Sequence, residues 1–390
     1  MHFHHLLRAY IPFALLASSA LGQRLWIVDA NNGPGTDFID LAPAIAAASP
    51  GDRVLIRAGS FQYPITIQKG ITIMGDVNRE AVLWPTLTIA NIPVGQAFVL
   101  CQSYILSSPS STPELVIKNC QGAVHLDSCR IQRYAISNCK LVTGVDCEGS
   151  TITVDNGELI LNRANFQVYG YGPYPPALTA RNAKVSIADS FIMGDSGTFV
   201  IQACYFPRHP NIAMSLDNSE VVFFGDSNVL AGGANGDWTH CWIEQADAIQ
   251  STNGSKITLT PGMRRFGAIT GSYTLSTVPN PSLIAVWPLI STTMRVDVHG
   301  TPYSSIGLFA SLPALPYATS FGTLYLDPVA CWWLTNAVTD GLGFWGIDYT
   351  IPTSVPRGLS VLFQAAVVDS ANVLRVTTPS VTALTMRSTR

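Results

Sequence analysis

The chain has 390 residues, of which 47% are apolar and 12% charged, enough for two or three domains and too apolar for a disordered chain. Its 22 basic and 25 acidic residues leave a net charge of −3 with no run of either sign, which excludes the electrostatic footprint of a nucleic-acid binder. With so few charges the surface has to be wetted by Ser, Thr, Asn and Gln.

Residues 1–22 read as a secretory signal: Arg8 in a short polar start, an apolar run from Ile11 to Ala20, and small residues in Ala20-Leu21-Gly22. The run is shorter than the roughly 20 residues that cross a bilayer, and it contains Pro12. No later stretch is apolar enough to span, so the expected product is secreted or held at the cell surface, with no membrane span after signal removal.

The spacing of Phe38, Leu41, Ile45 and Ala48 predicts a helix over Thr36–Asp52, with Asp40 at its start and Ser49-Pro50-Gly51 as its stop. From Arg53 the texture changes to short strands: Val54-Leu55-Ile56, then Ile65, Ile67, Ile71 and Ile73 at two-residue spacing, with Gly59, Gly70 and Gly75 between them.

Four later segments share one layout, an apolar pair, a turn Asn and an alternating strand. Their asparagines are Asn156, Asn182, Asn218 and Asn253. Internal similarity of this kind predicts stacked units that bury their apolar faces against one another, with the asparagines in one column at a left-handed turn. Cys101, Cys120 and Cys139 are 19 residues apart, and Cys129 and Cys147 are 18 apart, which places thiols at equivalent positions of successive units. A buried thiol ladder is preferred to disulfides, and the absence of CxxC and of Cys/His zinc spacing speaks against a metal site.

Gly51-Asp52-Arg53-Val54-Leu55-Ile56-Arg57-Ala58-Gly59-Ser60-Phe61, followed by Ile65-Thr66-Ile67-Gln68-Lys69-Gly70-Ile71-Thr72-Ile73-Met74-Gly75, resembles the opening coils of secreted right-handed parallel β-helix proteins of the pectin-lyase-like superfamily. The resemblance covers about Asp37 to Met263. It implies an all-β chain: a right-handed parallel β-helix solenoid with an N-terminal capping helix. It says little about activity, because that superfamily mixes lyases, hydrolases, esterases and proteins without catalysis. The motifs of polygalacturonases, pectate lyases and pectin methylesterases are absent.

From Arg265 onward, Pro-rich turns at Pro279, Pro281, Pro313, Pro316, Pro352 and Pro356 separate strands such as Thr293–Val298, Thr323–Leu326 and Leu359–Val368, which predicts a small β-sandwich. The stretch from Ile351 to Asp369 is similar to accessory sandwich domains of exported repeat proteins. The expected organisation is a signal over 1–22, a β-helix over 23–264 and a sandwich over 265–390. Trp332, Trp333 and Trp345 are expected in the sandwich core.

If the asparagines mark corners, the strands Asn165–Tyr169, Phe199–Tyr205 and Trp238–Gln245 stack on one face, and long loops leave it. Alternation then sends Trp238, His240, Trp242 and Glu244 outward. Tyr171, Tyr174, Trp238 and Trp242 are the expected glycan-binding rings, and Arg208, His209, His240 and Glu244 the candidate catalytic groups. A lyase would use His209 or His240 as base with Arg208 as cation, and would be the one reading to call for Ca2+ as cofactor. A hydrolase would draw its carboxylates from Asp195, Asp226, Asp237 and Glu244. The turns Gly194-Asp195-Ser196 and Gly225-Asp226-Ser227 read as structural. The expected partner is a polysaccharide or cell-surface glycan, bound without catalysis. The alternatives are a lyase or hydrolase acting on acidic glycan, and a structural or adhesive surface protein.

Overall fold

The computed structural model describes residues 23–58, 60–62, 64–76, 81–84, 86–105, 114–168, 175–194, 212–230, 247–286, 293–350 and 359–384. The chain is all-β, with one short helix among these residues and many strands paired in parallel. The leader expected over residues 1–22 lies outside them.

The helix is Leu41–Ala47, shorter than the spacing predicted. Asp40 caps it, accepting from the Leu41 N–H at 2.7 Å. The residues expected on either side are held by strands instead. Asp37 accepts from the Ile27 N–H at 2.8 Å and Phe38 bridges Val28, while the Asp52 carboxylate takes the N–H groups of Arg24 and Ser49 and the Trp26 indole. These bonds outweigh desolvation and hold the Asp52 carboxyl below its ordinary value. Leu41, Ala44 and Ile45 close over the first strand, Leu25–Asp29.

Beyond this cap, each return of the chain lays a strand in parallel beside the one before it. One such set runs Ile65–Ile67, Thr86–Ala90, Glu114–Lys118, the first part of Arg133–Val145, the first part of Thr151–Asn162, Leu178–Arg181, Met214–Asp217, Ile249–Leu259 and Ile269–Thr277. Its inward positions form unbroken apolar columns such as Ile65, Leu87, Leu115, Tyr134, Ile152, Leu178, Met214 and Ile249, all buried. A second set includes Ala97–Cys101, Ala123–Asp127, Lys184–Ala188 and Glu220–Phe224. The third is a separate nine-stranded sheet from Ser60–Gln62 to Arg264–Phe266.

The corner between the first two sets is where the asparagines sit. Registers place Asn156, Asn182, Asn218 and Asn253 in one column and extend it backwards through Asn138, Asn119 and Asn91. All seven have φ between 45° and 56°, the left-handed region that Asn tolerates. The amides bond along the column: Asn138 Nδ2 donates to Asn119 Oδ1 at 3.2 Å, and Asn218 Nδ2 to Asn182 Oδ1 at 2.8 Å. A β-branched residue here loses that bond and takes on left-handed strain. Asn182→Val is therefore expected to destabilise the protein by about 2–3 kcal/mol, against about 1 kcal/mol or less for Asn182→Gly, read by thermal unfolding.

The cysteines form two short columns rather than one. Cys120 and Cys139 each follow a column Asn, whereas Cys129 and Cys147 follow Ser128 and Asp146 at a second left-handed corner. Cys101 belongs to neither, because it pairs with Asp127 and packs with Leu55, Met74 and Val99. Its 19-residue distance from Cys120 is a coincidence of sequence. All six described cysteines are free thiols.

Parallel pairing continues through Ile269–Thr277, so the change of sheet type falls between Thr277 and Ser282, after the change of texture at Arg265. The strands beyond pair antiparallel. A three-stranded sheet (Ser282–Val286, Thr293–His299, Phe344–Thr350) faces a five-stranded one (Gly322–Val338, Ser305–Thr319, Leu359–Val368, Leu374–Val376, Ser380–Leu384) across a shared core of Leu283, Val296, Leu308, Val361 and Phe363. Trp332 and Trp345 pack against that core, but Trp333 is 61% exposed, with its indole N–H on the Thr335 carbonyl. A strand of alternating direction cannot turn both Trp332 and Trp333 inward.

The five-stranded sheet also covers the outer side of the second parallel set. Tyr325, Leu326, Leu362 and Val381 bury Ala123, Leu141 and Ile160. Polar bonds fix the same contact: Tyr325 donates to Glu158 at 2.6 Å, Asn162 Nδ2 to the Pro379 carbonyl at 2.5 Å, and Thr382 to Asp127 at 3.4 Å.

Candidate functional site

The eight residues singled out for binding or catalysis, Tyr171, Tyr174, Arg208, His209, Trp238, His240, Trp242 and Glu244, lie outside the described residues. So do Asp195 and Asp237. What the structure does place is the set of strand ends from which their segments leave and to which they return.

The strand Asn165–Gln167 pairs in register with Phe191–Met193, and that with Asn228–Leu230. The expected partners of Asn165–Gln167, at Phe199–Tyr205 and Trp238–Gln245, are therefore replaced by shorter strands that precede them. The sequence misleads here because Phe191-Ile-Met and Asn228-Val-Leu are only three residues long, while the longer apolar runs stand in the intervening segments. After each of these strands the chain makes an excursion, and it returns at Ala177, Ala213 and Ala248. The return points are also stacked, with the Leu178 N–H on the Ala213 carbonyl at 3.1 Å and the Met214 N–H on the Ala248 carbonyl at 3.0 Å.

One turn of the chain takes 18 residues from Asn138 to Asn156, but 26, 36 and 35 over the next three. The additional residues all fall between the third sheet and the first. Three excursions thus start and end on neighbouring strands, about 4.8 Å apart. Between them they carry all eight candidates.

The returning strands lead onto a flat outer row. In register it reads Thr66, Thr88, Val116, Ala135, Thr153, Thr179, Ser215, Gln250 and Thr270, of which six carry a hydroxyl. Beside it runs a row of alternating sign: Lys118, Ser137, Asp155, Arg181, Asp217 and Thr252. Asp217 is taken up by Thr252, at 3.0 Å, and by Asn253. Such a wall has no strong field of either sign. The row went unrecognised in the sequence, although threonines alternating with buried aliphatics at Thr66, Thr88, Thr153 and Thr179 are its visible mark.

Asp226, the described member of the hydrolase set, is part of a turn. Gly225 has φ 56°, the Asp226 N–H donates to Asp189 Oδ1 at 2.7 Å, and Ser227 is buried with its hydroxyl on the Ile187 and Phe224 carbonyls. Among the described residues no three His, Cys, Asp or Glu side chains are grouped to hold a metal. His125 is buried: its Nδ1 lies 2.8 Å from the Thr143 hydroxyl, and burial pushes its pKa down to about 4.

No helix among the described residues is long and apolar enough to cross a membrane. No protein-family description matches the chain, and no match was found among curated proteins.

Proposed function

We propose that this is an exported glycan-binding protein whose parallel strands wind as a right-handed β-helix, followed by a β-sandwich, and which holds polymer on the side where the three excursions leave. The single observation that carries the reading is the stacking of their roots. The segments bearing Tyr171 and Tyr174 and those bearing Trp238 and Trp242 are anchored two strands apart, with the segment bearing Arg208 and His209 rooted between them, beside a row rich in hydroxyl side chains. Flat rings offer apolar faces to sugar C–H groups, and hydroxyls and amides exchange hydrogen bonds with sugar hydroxyls. The alternating charges of the wall favour a neutral polysaccharide over a uronate polymer, since a polyanion calls for an excess of cations.

The test is affinity electrophoresis of the purified protein through gels containing neutral or uronate polysaccharides, with absorbance of unsaturated products followed in parallel. Retardation by at least one neutral glycan is expected, without product. The double variant Trp238→Ala/Trp242→Ala should bind at least tenfold more weakly with its circular dichroism unchanged, since each buried ring contributes about 1 kcal/mol or more. Product formation would establish the lyase, and absence of both retardation and product would leave a structural role.

A further inference from the structure

We propose that Cys120 and Cys139 are a redox pair that closes into a disulfide between neighbouring turns of the chain, while Cys101 stays a thiol. The registers put the two residues side by side: Lys118 pairs with Ser137, and Asn119 and Asn138 follow in the left-handed column with their amides bonded at 3.2 Å. The next residues are the two cysteines, and the Lys140 N–H donates to the Cys120 carbonyl at 2.8 Å. Neighbouring parallel strands hold Cα atoms about 4.8 Å apart, inside the range a disulfide spans.

Each thiol donates to the carbonyl two residues before it, Cys120 to Lys118 at 3.4 Å and Cys139 to Ser137 at 3.2 Å, so the two sulfurs are held alike on neighbouring turns. The proximity of the two thiols draws the Cys120 pKa below its ordinary value and pushes that of Cys139 above it. One member is thus prepared as thiolate and its neighbour held as the resolving thiol. Cys101 is the opposite case, because its register neighbours are Met74 and Asp127 and burial pushes its thiol well up. The pair is also isolated from a third sulfur, because the next position in its column is Gly157, whose absent Cβ would lie 2.7 Å from the Cys139 carbonyl.

The oxidant is a small-molecule or protein disulfide. The Cys120 thiolate attacks one of its sulfurs, forming a mixed disulfide and releasing one thiolate. That thiolate takes the proton of Cys139, whose sulfur then attacks Cys120 Sγ and expels the second thiolate. Two protein thiols become one disulfide and one oxidant disulfide becomes two thiols. Both cysteines are buried, so the exchange belongs to folding or to local opening. The inference depends on export only for where such an oxidant is met, and its test is independent of glycan binding.

The experiment is refolding of the purified protein from denaturant in an oxidised and reduced glutathione buffer, followed by alkylation under denaturing conditions and peptide mapping with fragment-ion assignment. A Cys120–Cys139 link is expected, with Cys101 alkylated. In Cys139→Ser, Cys120 should stop as a glutathione adduct. Ser219 and Ser255 occupy the equivalent place in later turns, so this variant keeps the packing. Cys120→Ser is the matching control for folding, read by circular dichroism. Full alkylation of both residues in the wild type, or a link from Cys129 to Cys147 in place of theirs, would overturn the proposal.

Discussion

Replacing Phe166 with alanine is expected to lower the unfolding free energy by about 3–5 kcal/mol, the usual cost of removing a buried ring from a core that closes only partly around the space. Phe166 has no exposed surface, and its ring meets Tyr134 at 5.3 Å and 74°, an edge-on contact. The surroundings have little freedom to move inward. The Tyr134 hydroxyl donates to the Cys129 and Glu148 carbonyls, both at 3.0 Å, and Gly149 lies so close that a Cβ there would be 3.1 Å from the Phe166 ring. Urea unfolding of the two proteins gives the difference. A loss under about 1 kcal/mol would mean that the ring does not lie inside the stack.

Acid is expected to weaken the contact between the parallel strands and the five-stranded sheet. His125 is buried on the side of Ala123–Asp127 that this sheet covers, with Thr143 as hydrogen-bond partner of its Nδ1. The titrating groups of the same contact are Asp127, which accepts from Thr382, and Glu158, bonded to Tyr325 and 3.5 Å from Lys184. Burial is the one cause that lowers the pKa of His125, to about 4, against about 6.5 in the unfolded chain. The folded value lies below the unfolded one. Between pH 6.5 and 4 the unfolded state therefore takes up a proton that the folded state refuses. Stability from this group is complete above pH 6.5 and falls as the pH drops towards 4, by about 3 kcal/mol in all. His125→Gln, which keeps a partner for Thr143 without the titration, should flatten this slope. Parallel slopes for the two proteins would contradict the assignment.

Much of the fold was legible because its signals are local. The four asparagines could be aligned since each needs the same left-handed turn and stands before the same alternation of buried aliphatics. Asn91, Asn119 and Asn138 carry the same mark, but their flanks differ enough that the register was needed to join them to the column. The helix was overextended because Phe38 and Ala48 fit its period, and spacing alone does not reveal that Asp37 and Asp52 are spent on the first strands. Cys101 shows the opposite hazard, a regular interval produced by turns of unequal length.

The site was less legible for a physical reason. Its candidate residues stand in excursions whose length varies from one turn to the next, so no period constrains them. What could be read was their chemistry, rings beside imidazoles and carboxylates. The structure adds their common origin on adjacent strands and the hydroxyl row alongside. The row escaped notice because threonine alternating with aliphatic residues is also ordinary strand composition.

The most direct test of the winding register is the distance between outward residues of successive turns. Nitroxide labels at Thr153 and Thr179, replaced by cysteine with the buried thiols first shown to be unreactive, should sit on Cα atoms about 5 Å apart, and labels at Thr153 and Ser215 about 10 Å apart. Strong dipolar broadening in the first pair and weaker broadening in the second are the predicted result. Spectra equal to the sum of the singly labelled proteins, meaning separations beyond about 20 Å, would contradict it.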